Sequence, residues 1–288
     1  MRLTSDWHIH SRNSCDEASL ALVDLLADAQ VAGVSDLGVT DHVHTPFNLP
    51  DLDRSRAEFL ASAPPPWFHF GVEVSCVSQW ELELIGRGGP PNPVYGIRAG
   101  GPPGAPLALG ITAEGLAERG VEYVVGGTHW PMYVPLEREA VIRDYHRQNM
   151  FLATHPLVDV VAHPWWWHGA WADSQGNFTA DPWLGDFAWI PASMHDEFRA
   201  AARQHAAKVE INLSAMLLNP HYPTRFKEQY VEYLAWLKEG GVSLSLGSDC
   251  HDNRYQIDFG QAAAMLARVG LRDDDLWRLP HGPGRRSE

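Results

Sequence analysis

The sequence predicts a parallel α/β protein, a barrel or a wound sheet, and three observations lead there. Short apolar strand candidates alternate with helix candidates along nearly all of the 288 residues, the pattern of repeated βα units. Nearly every strand candidate ends in a His, Asp or Glu, and sites in such folds collect at the C-terminal ends of the strands. The pairs His8-Ile9-His10 and Asp249-Cys250-His251 stand more than 230 residues apart. On a strand, residues i and i+2 share a face about 6.6–6.8 Å apart, so each pair sets two metal-capable side chains side by side. The first and last strands are therefore expected to meet over one metal site.

The elements follow in order. A strand at Leu3–His8 precedes a helix from about Ser19 to Ala32, with Leu20, Val23, Leu26 and Ala27 on one face. Gly33 is placed to end it. Leu37–Thr40 is a short strand, and Phe68–Val74, Leu82–Ile85 and Glu122–Val125 also read as strands. A helix over Glu137–Ala153 leads to Val158–Ala162, a β-branched run interrupted only at Asp159 and typical of a buried parallel strand. Then come a helix near Ala192–Ala206, a strand at Val209–Leu213, a helix near Thr224–Glu239, a strand at Val242–Leu246 and a helix after Phe259. Two segments break the rhythm. Arg87–Pro106 is rich in Gly and Pro and reads as a long surface loop. Residues 165–190 hold six of the twelve tryptophans and read as an insertion after a strand.

At 45% hydrophobic residues the chain can bury a sizeable core, and residues 1–288 are expected to form a single barrel domain. No 18-residue uncharged apolar stretch is present and the N-terminus runs straight into a strand candidate. A cytoplasmic protein without membrane span or signal peptide is the expectation. A net charge of −14 argues against a surface that coats nucleic acid. Three cysteines cannot complete a disulfide framework, which fits a reducing compartment.

The strand ends supply His8 and His10, Asp41 and His42, Glu73, His129, His163, Glu210, and Asp249 with His251. A lone His or Glu is weak evidence, but ionisable groups recurring at buried strand ends would be costly without a shared partner. Histidine mixed with carboxylate suits zinc, manganese or iron. Cys250 alternates away from its neighbours and should pack behind the sheet. His44 and His155 lie close to these motifs but off their pattern.

These residues resemble a family. His8-Ile9-His10-Ser11 with Ser14 and Asp16, Thr40-Asp41-His42, Gly71-Val72-Glu73, His129, Ala162-His163-Pro164, Glu210-Ile211-Asn212 and Gly247-Ser248-Asp249-Cys250-His251 look like the PHP family, named for polymerase and histidinol phosphatase. The likeness spans residues 3–265. It is closest to the histidinol-phosphatase-like branch, because Glu210-Ile211-Asn212 is followed by Tyr222-Pro223 and Leu246-Gly247-Ser248-Asp249. The resemblance implies a distorted (β/α)7 TIM-like barrel with two or three divalent transition metals at the C-terminal ends of its strands. Carried over, His8, His10, Glu73 and Asp249 bind the first metal. Glu73 bridges to a second, completed by His129 and His163. His42, His251 and Asp16 hold the third.

Such a site implies hydrolysis of a small phosphate monoester by a metal-bridging hydroxide, with Asp249, His251 and Glu73 as catalytic residues. Phosphate also calls for guanidinium groups, which makes Arg12, Arg225 and Arg254 candidates. Trp165, just after His163, is the candidate aromatic wall. Histidinol phosphate fits an aromatic pocket, as do nucleotides and other small phosphoesters. Two other readings compete. An amidohydrolase barrel also opens on His-x-His but often uses a carboxylated lysine, and of Lys208, Lys227 and Lys238 only Lys208 lies on a strand candidate. A non-catalytic, metal-stabilised binding module is the other, and it should have lost ligands.

Overall fold

The computed structural model describes residues 2–16, 18–89, 94–97, 100–166, 171–172, 178–179 and 184–280. Seven parallel strands form a nearly closed barrel: β1 (Ser5–Asp6), β2 (Asp36–Val39), β3 (Phe68–Ser78), β4 (Tyr123–Gly127), β5 (Val160–Ala162), β6 (Lys208–Asn212) and β7 (Leu244–Gly247). Each pairs with the next in chain order. The residues after β1 then bond to those around the end of β7. Trp7 N donates to Leu246 O (2.8 Å), Asp249 N to His8 O (2.7 Å) and His10 N to Cys250 O (3.0 Å). The expected meeting of the first and last strands is therefore a backbone ladder, with Ile9 bridged to Cys250.

The helices cover the outside. α1 (Leu22–Ala32) buries Leu22, Leu25 and Ala29 and ends at Gly33, whose φ of 73° is the left-handed conformation that glycine takes without strain. α2 (Leu49–Ala61) follows Asn48 and opens with Pro50 in its first turn, where a missing N–H costs nothing. α3 (Gln79–Gly86) replaces the strand expected at Leu82–Ile85. The Leu-Glu-Leu alternation there mimics a two-residue period, but the Ser78 side chain accepts from Glu81 N and caps a helix. Instead, Leu107–Leu109 pairs antiparallel with the far end of β3. α4 (Ala113–Glu118), α5 (Arg138–Thr154), α6 (Ala192–Gln204), α7 (Thr224–Glu239) and α8 (Phe259–Arg268) complete the shell. Parts of the two irregular segments (90–93 and 98–99; 167–170, 173–177 and 180–183) lie outside the described residues. Among the described residues no helix is long and apolar enough to cross a membrane.

Alternation along the strands sorts side chains between shell and lumen. Val72, Val74, Val124, Val161, Val209, Ile211, Leu244 and Leu246 join the large core beneath the helices. A separate inner cluster of Trp7, Tyr123, Val125, Val160, Ala162 and Leu279, with Trp277 against it, fills the lumen away from the site. Trp277 is held by its N–H to Leu244 O (2.7 Å) and by Trp7 Nε1–H to its own carbonyl (3.2 Å). The Tyr123 ring fits because β2 and β3 lack side chains opposite it: a Cβ on Gly38 would stand 2.0 Å from the Tyr123 oxygen, and one on Gly71 2.6 Å from its Cζ. Gly71→Ala should therefore overpack the lumen at a cost of about 1–3 kcal/mol. The check is the urea midpoint, which should fall at constant slope. An unchanged midpoint would mean that the ring yields freely.

Candidate metal centre

Above the inner cluster the lumen-facing residues become ionisable. On β3, Glu73 follows His69 and Gly71 at two-residue spacing; on β6, Glu210 and Asn212 do the same. β5 delivers His163, whose φ of 28° turns the chain at the strand end, and Asp249 after β7 has φ 56°. Such backbone costs of order 1–3 kcal/mol in a non-glycine residue and persists only where surrounding contacts enforce it. Here His163 N donates to Glu210 Oε2 (2.8 Å) and Asp249 N to His8 O. Gly127 and Gly247 leave space, since a Cβ would stand 2.3 Å from Glu73 Oε1 in the first case and 2.0 Å from Glu210 Oε1 in the second.

Six imidazoles and three carboxylates converge: His8, His10, His42, His129, His163 and His251 with Asp16, Glu73 and Asp249. Among the described residues they fall into four overlapping groups that could hold a metal ion: His8, His10 and Asp249; His8, Glu73 and His163; His42, Glu73 and His129; and His10, Asp16, His42 and His251. All nine metal-ligand candidates from the sequence are thus brought together. Overlap is greater than the family pattern implies, because His10 also reaches the Asp16 group and His42 also reaches Glu73. Glu73, fully buried, lies at the middle. Its Oε1 is 3.1 Å from His129 Nε2 and 3.2 Å from His163 Nε2, and its Oε2 is 2.8 Å from His42 Nδ1 and 3.2 Å from His8 Nε2. Asp16 Oδ2 lies between His42 Nε2 (3.0 Å) and His251 Nε2 (2.5 Å).

The donor set fits a divalent metal. His42 Nδ1 and Glu73 Oε2 are both buried and close, yet neither has a hydrogen-bond partner. Their polar ends converge without satisfying each other, an arrangement that a bound cation resolves. His8 Nδ1 faces Glu210 Oε1 at 2.6 Å. A proton on that nitrogen leaves the Nε2 lone pair directed at the cluster, the usual carboxylate–histidine support of a metal ligand. Glu210 is braced in turn by Asn212 Nδ2 (2.9 Å), which also donates to Asp249 Oδ2 (3.1 Å).

Buried charge sets the electrostatics. Burial would raise the Glu73 and Asp249 carboxyls, but His8 and the neighbouring imidazoles hold both well below the usual range. Burial would lower His42, yet Glu73 and Asp16 push it up to about 10. His8 is likewise held well above its ordinary value, against burial, by Glu210, Glu73 and Asp249. Burial, reinforced by His251 and His42, drives His10 down to about 3.

Several supporting groups have roles that spacing alone could not assign. Asp41 turns from the cluster and accepts both Ser11 N and Ser11 Oγ at 2.6 Å, fixing the turn after His10. Asp6 accepts Ser248 N (2.8 Å) and the Tyr255 hydroxyl (2.6 Å), tying β1 to the chain after β7. Ser75 Oγ lies between His129 Nδ1 (2.8 Å) and His44 Nδ1 (2.7 Å). Ser75 and Glu210 were legible as lumen-facing positions two residues from another polar strand residue; His44 had no such signal.

The substrate-binding candidates are placed differently. Arg12 pairs with Glu58 (3.0 Å), Arg225 with Asp186 (2.8 Å) and Arg254 with Asp28 (2.6 Å), so their partners are carboxylates outside the cluster. Trp165 is fully buried, its ring against His146 and His195. Trp166 is the one beside the cluster, 5.1 Å from the His163 ring. Cys250 is buried behind the sheet as expected.

No protein-family model matches the sequence, and no curated protein matches it. Among solved structures the chain resembles a protein from Listeria monocytogenes assigned as the histidinol phosphatase hisK, with 11% identity and a TM-score of 0.54 over 86% of this chain and 96% of that one. This likeness shows a shared fold. It also resembles a chain of archaeal ribonuclease P (11% identity, TM-score 0.41, 92% and 89% covered) and N-isopropylammelide isopropylaminohydrolase from Burkholderia multivorans (12%, 0.43, 94% and 70%). At those scores neither bears on function.

Two outcomes follow. Glu210→Ala, which removes the His8 support, should weaken metal affinity about 10–100-fold, read by competition with a chromophoric chelator; unaltered affinity would contradict that support. In metal-free protein, the raised values of His8 and His42 stabilise the fold fully below the unfolded value of about 6.5, and this is lost as pH rises toward about 10. His69, pushed up to about 9 by Asp36 and Glu122 against burial, acts with the same sign. Chelator-treated protein should therefore lose denaturant resistance between pH 7 and 9. Bound metal displaces the cluster's protons, so metal affinity should rise over that range. Rising stability of the metal-free protein would contradict these assignments.

Proposed function

We propose that this chain is a metal-dependent phosphoesterase of the PHP type that hydrolyses a small phosphate monoester. The observation that carries the reading is the convergence of six imidazoles and three carboxylates around buried Glu73 at the C-terminal ends of the barrel strands. In this reading His8, His10, Glu73 and Asp249 hold one metal, Glu73 with His129 and His163 a second, and Asp16, His42 and His251 a third. When bound, two or three zinc, manganese or iron ions supply Lewis acidity toward phosphoryl oxygens and acidify coordinated water.

The protein's own groups do the rest. Glu73 is acceptor-only when ionised, and with imidazoles around both oxygens it fixes the spacing between sites. Asp249 is held from two sides, by its N–H to His8 O and by Asn212 on Oδ2. Its Oδ1 stays beside His10 Nε2 (3.3 Å), where it orients the nucleophile as well as serving as a ligand. His251 has a side chain 37% exposed, the most open of the six imidazoles. Its Nδ1–H donates to Asp249 O (3.0 Å) and its Nε2 faces Asp16, so in this reading it acts as a ligand at the open side of the cluster, where the departing oxygen would lie. Such positioning and charge stabilisation account for most of phosphoryl-transfer catalysis.

Lys208 weighs against a carboxylated-lysine amidohydrolase, because its ammonium lies 5.3 Å from the Trp277 ring in the inner plug. The net charge of −14 favours a small phosphorylated substrate over nucleic acid, in the cytoplasm. Protein purified without chelator should contain at least two equivalents of transition metal and cleave members of a phosphomonoester panel that includes histidinol phosphate. Metal-replete protein that cleaves none of the panel but opens a cyclic amide would overturn the reading. Asp249→Asn should lower kcat about 10²–10⁴-fold while losing less of its metal content. Retention of full turnover would exclude the role given to Asp249.

A further inference from the structure

We propose that Trp165 is a positioning residue for the metal centre: its buried ring holds the turn that aims His163 at Glu73, and so sets the affinity of the metal that His163 ligates. The inference rests on the phosphoesterase reading, in that it takes His163 as a ligand. It gives control of one metal position to a side chain outside the cluster.

His163 lacks the outer support that other ligand candidates have. His8 Nδ1 faces Glu210 Oε1 (2.6 Å), His129 Nδ1 faces Ser75 Oγ (2.8 Å) and His251 Nδ1 faces the Asp249 carbonyl (3.0 Å). Partners of this kind fix the orientation of a metal-binding imidazole. His163 Nδ1 is buried and has no hydrogen-bond partner among the described residues, while its Nε2 lies 3.2 Å from Glu73 Oε1. Its orientation is left to its backbone and to the rings packed on it, Trp166 among them at 5.1 Å. The backbone is fastened on both sides of the residue. His163 N donates to Glu210 Oε2 (2.8 Å), and the His163 carbonyl accepts Trp166 N (2.8 Å).

The turn is not one that the chain adopts unaided. His163 has φ 28° and Trp165 φ 74°, both in the left-handed region that disfavours a side chain, and the ring of Pro164 fixes its own φ between them. Such backbone persists only where surrounding contacts over-determine it, and Trp165 supplies them. It is fully buried, whereas Trp166 beside it is half-buried. Its ring lies parallel to that of His146 on α5 (2°, centroids 6.3 Å apart) and edge-on to that of His195 on α6 (76°, 5.8 Å). The walls of this slot are themselves tied. His146 Nε2 pairs with Glu197 Oε2 on α6 (2.8 Å), and His195 packs on Tyr233 of α7 (4.8 Å). Three outer helices thus grip the residue two positions after a ligand. Loosening that grip lets the turn relax and draws His163 away from Glu73.

The test is a double-mutant cycle on the whole chain, read as zinc affinity in competition with a chromophoric chelator. Trp165→Leu should weaken about tenfold the metal equivalent that His163→Ala abolishes, the scale of losing an outer support, and leave the others within about twofold. In the His163→Ala background the same substitution should change no affinity by more than about twofold, because a side chain that acts through His163 then has nothing to position. His195→Ala, at a half-buried position, loosens the same slot and completes the same cycle should Trp165→Leu not fold. Equal losses with and without His163, or losses spread evenly over every equivalent, would make Trp165 a general packing residue and overturn the inference while the metal reading stands. Failure of the unaltered protein to bind zinc would overturn both. Coupling through His163 in a metal-loaded protein that cleaves no phosphomonoester would support the positioning role and remove the phosphoesterase reading.

Discussion

A carboxylate buried at the centre of a barrel must be matched by groups that bear or attract positive charge, and Glu73 imposes that constraint here. An ionised carboxylate taken from water without partners costs many kcal/mol. Four imidazoles approach its two oxygens within 3.2 Å, and the carboxylates Asp16, Glu210 and Asp249 hold the outer sides of those and neighbouring rings. The protein thus carries a cluster too charged to be a hydrophobic core and too buried to be a solvated surface. Divalent metal relieves both difficulties, because it binds neutral imidazole and ionised carboxylate together.

The rest of the barrel serves that cluster. Closure between the chain after β1 and the chain after β7 brings His8 and His10 beside Asp249, and Asp6 reinforces the closure from within. Left-handed backbone at His163 and Asp249, together with glycine at 127 and 247, trades local comfort for geometry. On the other side of the cluster, Trp7, Tyr123 and Trp277 plug the lumen with apolar rings. Water is therefore kept from that side of the site.

Much of this was legible in the sequence, for identifiable reasons. Strand ends carrying ionisable residues mark the site because few other causes place charge there repeatedly, and all nine ligand candidates converge. Gly33, Thr224–Glu239 and the run ending at Ala162 read correctly because local propensity and tertiary need agree. Leu82–Ile85 misled because its alternation is local, whereas the Ser78 cap decides the helix. α2 was missed because its buried face is only Leu52, Ser55 and Phe59 in an otherwise polar stretch. The arginines could not be placed from spacing, since their partners Glu58, Asp186 and Asp28 lie 46, 39 and 226 positions away. Trp165 and Trp166 are adjacent, and which of the two reaches the site depends on the positive φ at Trp165.

The most direct test of the central claim is an anomalous-difference map from crystals of metal-replete protein, collected at the absorption edges of zinc, manganese and iron. At least two peaks about 3.5–4 Å apart are expected, with Glu73 between them, His8, His10 and Asp249 around one, and His129 and His163 around the other. A metal-loaded protein with no peak at Glu73, its imidazoles hydrogen-bonded to carboxylates alone, would contradict that claim.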